Sequence, residues 1–316
     1  DLKEADGYKA LSKQFMEFDS RITIRLFNDN YAIEFLAWLR ERLNTVNNYG
    51  KYIKNLKAVV NYALDEDRYK IDCRPRSSIY AGSKEEIIHP YLNEEQLDAL
   101  AKLEFDEDEK DLEYCRDLAL IASYSGGVRY GNWKQMFLAQ KTKVEGQTVY
   151  FIESMSSKQG ERKQIPLMDN IYQLLAKYEF RFRELRDDEF NINIKKICER
   201  AGMFDSSLTD DYLFYRKNLK TGQPEPVKKF FKAENRSRIP RLCDLVSSHT
   251  MRRSFATIFY YHRKIHAEIV MQFTGHTKLE DFLLYCKATD RLKFDDFTKK
   301  VVLKERNQRS TDSKNQ

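Results

Sequence analysis

The stretch Ser247–Tyr285, SSHTMRRSFATIFYYHRKIHAEIVMQFTGHTKLEDFLLY, constrains this chain more than any other. It sets His249 and Arg252 three residues apart, Gly275 directly before His276, and Tyr285 nine residues after that histidine. Tyrosine is a poor nucleophile, with a reference pKa of about 10. Cations and a proton acceptor must surround it before it can attack anything. Arginine forks suit two oxygens of a phosphate. The combination points to attack by Tyr285 on a phosphodiester. Geometry leaves choices open. On a helix, Arg252 lies roughly 60° from His249 and Arg253 roughly 40° away on the other side, so either shares its face. Tyr260 and Tyr261 are candidate nucleophiles by chemistry alone. His262 and His266, four apart, have a spacing that ligates metal on a helix, but no third ligand is near in sequence.

Composition narrows the class. At 316 residues the chain fits about two domains. It is 41% hydrophobic and 13% aromatic, which is globular rather than disordered. The net charge of +6 is compatible with a polyanionic partner without requiring one. The five cysteines are scattered and form no C-x-x-C pair, so neither a disulfide framework nor a zinc site is indicated. A reduced, cytoplasmic compartment is the simplest reading. No run of eighteen apolar residues and no signal peptide appears. The chain begins at Asp1 rather than methionine, which fits a fragment of something longer.

The pattern along the chain predicts a mainly α (α+β) protein. Residues 8–70 read as helical, with Ile33, Leu36, Ala37, Leu39 and Arg40 at helical spacing in 30–43. A helix over 49–64 sets Ile53, Leu56, Val59, Val60 and Ala63 on one stripe. Its other face carries Lys51, Lys54 and Lys57, which suit either a DNA backbone or plain solvent. Residues 71–90 read as a linker, and its Arg74 and Arg76 suit phosphates or solubility equally. Asn93 with Gln96 marks a helix start. The acidic run 106–111 precedes a helix over 111–123 that buries Leu112, Cys115, Ala119 and Ala122. Gly126-Gly127 ends it, and Arg129 follows before a short helical stretch. Segments 148–152 and 163–167 read as strands joined by a turn, SSKQGER, with Lys158 at its tip. Residues 169–202 read as helical, and 210–240 as irregular, basic and partly β.

HTMRRSFAT at 249–257, FTGH at 273–276 and LLY at 283–285 resemble the tyrosine recombinases, the phage-integrase family of DNA strand-transfer enzymes. The resemblance implies a helical core-binding domain at 1–75, a linker at 76–90 and a catalytic domain with a small antiparallel sheet and C-terminal tail at 91–316. The run LKAVVNYA in the first helical region is similar to such a core-binding domain, more loosely.

The same resemblance selects the catalytic set Arg129, Lys158, His249, Arg252, His276 and Tyr285. Lys158, eight residues before Pro166, is preferred to Lys163 on the far strand. Arg253 is left to a neighbouring phosphate or an acidic side chain. One departure stands out: family members usually carry an acidic residue three after the first arginine, where this chain has Asn132. The implied chemistry is cleavage and rejoining of double-stranded DNA through a 3′-phosphotyrosyl link, with no metal, nucleotide or other cofactor. The implied assembly is a homo-tetramer on DNA, with accessory DNA-bending proteins as further partners and a mobile element as setting. The tail, with Leu292, Phe297, Val301 and Leu303, would dock on a neighbouring protomer or pack on its own domain. A type IB topoisomerase-like enzyme and a non-catalytic DNA-binding relative share these features in part.

Overall fold

The apolar stripe over 49–64 requires helical partners, and it finds them in the first of two units. The computed structural model describes residues 2–43, 46–66, 69, 71–73, 90–155, 162–203, 215–217, 224–226, 229–231, 234–286 and 298. The chain divides into Asp1–Ile87 and Ile88–Gln316. In the first unit, helices α1 (Leu2–Phe18), α2 (Asp29–Arg42) and α3 (Val46–Asp65) enclose a core of Leu11, Phe27, Phe35, Leu39, Ile53, Leu56 and Val60. Asn28 caps α2 by accepting a hydrogen bond from the Tyr31 N–H.

The buried stripe of α2 is Ala32, Phe35, Leu36 and Leu39, while Ile33 and Ala37 face solvent, against the sequence expectation. The aromatic residues decide this. Phe35 stacks on Phe15 of α1 with centroids 4.0 Å apart, and Phe18 meets it edge-on. Turning Phe35 inward turns Ile33 outward. On α3 the expected stripe is inward except that Val59 is half-buried; Lys51 and Lys54 are exposed and Lys57 is half-buried.

The second unit is built around α5 (Lys110–Tyr124), whose residues from Tyr114 to Tyr124 are all buried. Leu112, expected inside, is only half-buried. Preceding it, α4 (Glu94–Ala101) begins with the Asn93–Gln96 capping box, and the acidic run forms one 3-10 turn, Glu107–Glu109. Two charged residues sit inside α5. Arg116 donates to the carbonyls of Ala101 and Leu103 at the end of α4, 3.0 and 2.9 Å away. Asp117 accepts from Lys177 and Tyr178, each at 2.7 Å. Each buried charge is therefore paired, as burial requires.

Three antiparallel strands follow, in the order β1 (Ala139–Val144), β2 (Gln147–Met155), β3 (Arg162–Leu167). The first was not legible: AQKTKV is polar and almost wholly exposed, so it has no apolar alternation. The two-residue turn Glu145–Gly146 joins it to β2, with φ of 49° and 80°, the twist a tight hairpin favours. On β3 the inward positions are Lys163, Ile165 and Leu167. Residues 169–202, read as helical, form two helices, α6 (Asp169–Lys177) and α7 (Asp187–Arg200). Glu179 and Phe180 between them take left-handed φ of 51° and 55°. Tyr172 of α6 stacks on Tyr150 of β2 at 3.6 Å.

In the basic region, strand pairs β4–β5 (Tyr215–Lys217, Pro224–Pro226) and β6–β7 (Lys229–Phe231, Arg236–Arg238) are described. Arg236 pairs with Glu234, Arg238 with Glu234 and Asp244, and Arg241 with Glu199 and Asp244. Helices α8 (Ser248–Thr257), α9 (Ala267–Thr274) and α10 (Leu279–Cys286) close the unit, with a π-helical turn at Ile258–His262. All five cysteines are buried and none is in a disulfide. Among the described residues no helix is long and apolar enough to cross a membrane.

Candidate active site

Chain segments from four places meet at the N-terminal half of α8. Ser247 starts that helix with a capping box to Thr250, and the Ser248 hydroxyl donates to Asp187 at 2.7 Å. These contacts fix where His249, Arg252 and Arg253 leave the helix. Arg252 is buried and donates to the carbonyl of Gly127 at 2.6 Å and to that of Thr274. Its guanidinium therefore ties the Gly-Gly turn to the end of α9. Gly126 and Gly127 both have left-handed φ, 72° and 58°. A Cβ on Gly126 would stand 2.5 Å from Ile165, and one on Gly127 3.2 Å from Arg252. The left-handed backbone and the close neighbours on β3 and α8 both favour glycine here.

Arg129 follows that turn as the extended residue before the 3-10 helix Tyr130–Phe137, and its side chain is exposed. Its charge lowers the basicity of His249, Arg252 and His276 alike, so it belongs to the same cluster. The Asn132 side-chain amide donates to the Met155 carbonyl at 3.4 Å, while its backbone N–H donates to the Arg129 carbonyl at 2.8 Å.

Gly275, with a left-handed φ of 71°, ends α9 and turns His276 back to the centre. The His276 ring lies 5.0 Å from that of Tyr285. The hydroxyl of Thr274 is 2.9 Å from the Val270 carbonyl, to which it donates, and 2.8 Å from His276 Nδ1. Thr274 thus serves two site residues, orienting His276 by its hydroxyl and Arg252 by its carbonyl. A threonine in a helix carries no sequence signal of its own, so the FTGH motif alone gives Thr274 no role.

Tyr285 stands on the last turn of α10, which is anchored by buried Phe282 and Cys286. The Thr257 hydroxyl donates to the Cys286 carbonyl at 2.8 Å. The Tyr285 hydroxyl is 3.5 Å from His249 Nδ1. Guanidinium carbons lie over its ring at 5.5 Å for Arg252 and 4.8 Å for Arg253.

Electrostatics follow from this crowding. Burial, with repulsion from Arg252 and Arg129, brings His276 down to about 4. His249 is lowered by the same causes, opposed by Asp187. Burial also lowers Arg252 to about 10, while Tyr285 opposes the shift. Both histidines are therefore neutral near pH 7.

The remaining expectations fare differently. Tyr260 and Tyr261 pack with α10 in a satellite core, Tyr260 edge-on to Phe282. His262 lies 3.3 Å from the Tyr91 hydroxyl, and no group of three metal-ligating side chains exists among the described residues. Lys163 is buried, with its Nζ beside Gly275. A cavity of about 400 Å³ opens there, lined by Arg162, Lys163, Gln272, Gly275, His276 and Thr277. Lys158, Arg74, Arg76 and the tail residues Leu292, Phe297, Val301 and Leu303 lie outside the described residues. Lys51, Lys54 and Lys57 belong to the first unit.

Residues 90–291 match the sequence model of the Phage integrase family, and residues 1–79 that of the Phage integrase SAM-like domain. The chain belongs to the phage integrase family. It is an enzyme of the tyrosine recombinase type, which cleaves and rejoins DNA strands. No curated protein sequence matches this integrase-family chain. Its fold is similar to XerH site-specific recombinase bound to palindromic difH substrate in a post-cleavage complex. There the TM-score is 0.59 at 16% identity, covering 92% of this chain and 78% of that one. It is also similar to a lambda integrase(75-356) dimer bound to a COC′ core site, with TM-score 0.57 at 13% identity, covering 91% of this chain and 89% of that one. The pre-cleavage XerH complex with difH gives 0.56 at 18% identity, covering 92% and 78%. At these identities the likeness speaks for the fold.

Proposed function

We propose that this integrase-family enzyme is a site-specific recombinase of double-stranded DNA in which Tyr285 is the nucleophile. The observation that carries the reading is the convergence of His249, Arg252, Arg253 and His276 on Tyr285. The phenolic oxygen attacks the scissile phosphorus while the P–O5′ bond breaks, leaving a 3′-phosphotyrosyl link and a free 5′-hydroxyl. His249, neutral near pH 7 and 3.5 Å from the hydroxyl, takes the tyrosine proton. Arg129 and Arg252 hold the non-bridging oxygens and offset the charge that develops on them. Lys158 gives a proton to the departing 5′-oxygen. His276 donates a hydrogen bond to the phosphate when the Thr274 hydroxyl turns to its Nδ1, leaving the proton on Nε2. One phosphodiester replaces another, so religation needs neither nucleotide nor metal.

The assembly is a homo-tetramer that integrates or excises a mobile element, assisted by DNA-bending proteins. Support for duplex DNA as substrate comes from the DNA-bound states of the XerH and lambda integrase structures. Lys51, Lys54 and Lys57, together with linker residues Arg74 and Arg76, serve as backbone contacts.

The test starts from duplexes selected from a random-sequence pool by Tyr285→Phe, which are then nicked beside the bound centre. The wild type is expected to form a denaturant-resistant adduct on these nicked duplexes, and Tyr285→Phe to bind them and form none. An adduct with the Phe variant removes Tyr285 from the role.

A further inference from the structure

Helix α8 presents two successive arginines to Tyr285, and the protein uses them differently. Arg252 is held by the Gly127 and Thr274 carbonyls. Arg253 has no such anchor. Its Nε is buried and lacks a hydrogen-bond partner. No ion pair joins it to a carboxylate among the described residues. Its guanidinium is the nearer of the two to the Tyr285 ring, 4.8 Å against 5.5 Å. Successive helical residues point roughly 100° apart, so the two cations flank the ring from different directions. Burial lowers the Arg253 pKa, and charge and hydrogen-bond interactions with Tyr285 oppose that shift. A buried guanidinium N–H left unpaired is costly and calls for a reason.

We propose that Arg253 is a positioning residue for the nucleophile: it holds the Tyr285 ring and offsets the charge on its oxygen as the proton leaves. This reserves Arg252 for the phosphate, and it rests on Tyr285 being the nucleophile as proposed above. A cation facing the ring favours one rotamer by its attraction to the π face. The same cation beside the phenol interacts more strongly with the oxygen once the oxygen is charged. Neither action requires Arg253 to touch DNA, which separates it from an arginine that grips a neighbouring phosphate.

The test uses the full chain on the nicked duplexes described above. Arg253→Met is expected to slow single-turnover cleavage on the order of 10- to 100-fold. Arg253→Lys, which keeps the charge, should stay within about fivefold of wild type. Half-site affinity, compared between Tyr285→Phe and Tyr285→Phe/Arg253→Met, should agree within about twofold. The decisive arm places 3,5-difluorotyrosine at 285, whose phenol ionises more readily. The Arg253→Met defect should then shrink to within about threefold. An undiminished defect with difluorotyrosine, affinity falling in step with cleavage, or wild-type cleavage by Arg253→Met would each overturn the role. Should the Met variant fail to fold, Arg253→Gln carries the same comparison. If the wild type forms no adduct, the nucleophile assignment falls first and this role falls with it.

Discussion

Arg252 donates to the carbonyl of Gly127 across 2.6 Å, although 125 residues of sequence separate them. The contact makes a side chain proposed for phosphate binding also a structural tie, since the same guanidinium reaches Thr274. Substitutions at 252 should therefore damage fold and chemistry together. Arg252→Lys keeps a charge but cannot fork, so at least one buried carbonyl loses its donor. The expected cost is about 1–3 kcal/mol of stability, with cleavage falling roughly 100- to 1000-fold. Thermal unfolding beside single-turnover cleavage measures both; a variant with wild-type melting would show that the tie is dispensable.

Gly127→Ala tests the same junction from the other side. Its φ of 58° strains any side chain, and an added carbon would stand 3.2 Å from Arg252, which must give way by a few tenths of an ångström. A loss of about 1–2 kcal/mol is expected from the left-handed backbone alone, with a larger fall in cleavage because Arg252 is displaced. Gly131→Ala is the control, since nothing lies within 4 Å of its added carbon. Equal melting temperatures for the two variants would refute this account.

Much of this site was readable because its residues fall in short motifs whose chemistry is explicit. His249, Arg252, His276 and Tyr285 meet as their spacing suggested, and Arg129 joins them through its charge. Thr274 escaped notice because its task depends on tertiary contacts with Arg252 and His276. Strand β1 was missed because polar AQKTKV has no apolar rhythm, and its pairing with β2 is specified by the Glu145–Gly146 turn. The inward face of α2 was misjudged since Ile33 and Phe35 both lie on plausible stripes, and only the stacking on Phe15 chooses between them.

Acid should weaken the second unit in part through His276. Its pKa in the fold, about 4, lies below the 6.5 of a free histidine, chiefly through burial. The unfolded chain therefore takes up the proton first as pH falls. The histidine's contribution is full above about 6.5 and is lost as pH drops toward and through 4. His249, lowered in the same direction, adds to the trend. Denaturant midpoints of wild type and His276→Gln, followed from pH 7.5 to 4 as about eight points, should diverge at the upper end and converge at the lower. Parallel curves would mean that His276 contributes nothing to the acid response.

Lys158 and Lys163 should separate by leaving-group chemistry. Lys158→Ala should cleave ordinary DNA slowly and recover on a substrate with sulfur at the 5′-bridging position, which departs without a proton. Lys163, buried beside Gly275 and His276, should show equal defects on both substrates. Selective rescue of Lys163→Met instead would exchange the two assignments.

The two glycines at 126 and 127 act as a spacer cut to the width of a naked peptide, with Ile165 on one side and Arg252 on the other. The sheet and the arginine helix therefore share one wall. A carbon added at Gly126 presses on Ile165 of the hairpin strand, and one added at Gly127 presses on Arg252. An apolar core residue such as Ile165 thereby belongs to the tolerances of the proposed catalytic centre. A change there would be read in an assay as lost chemistry.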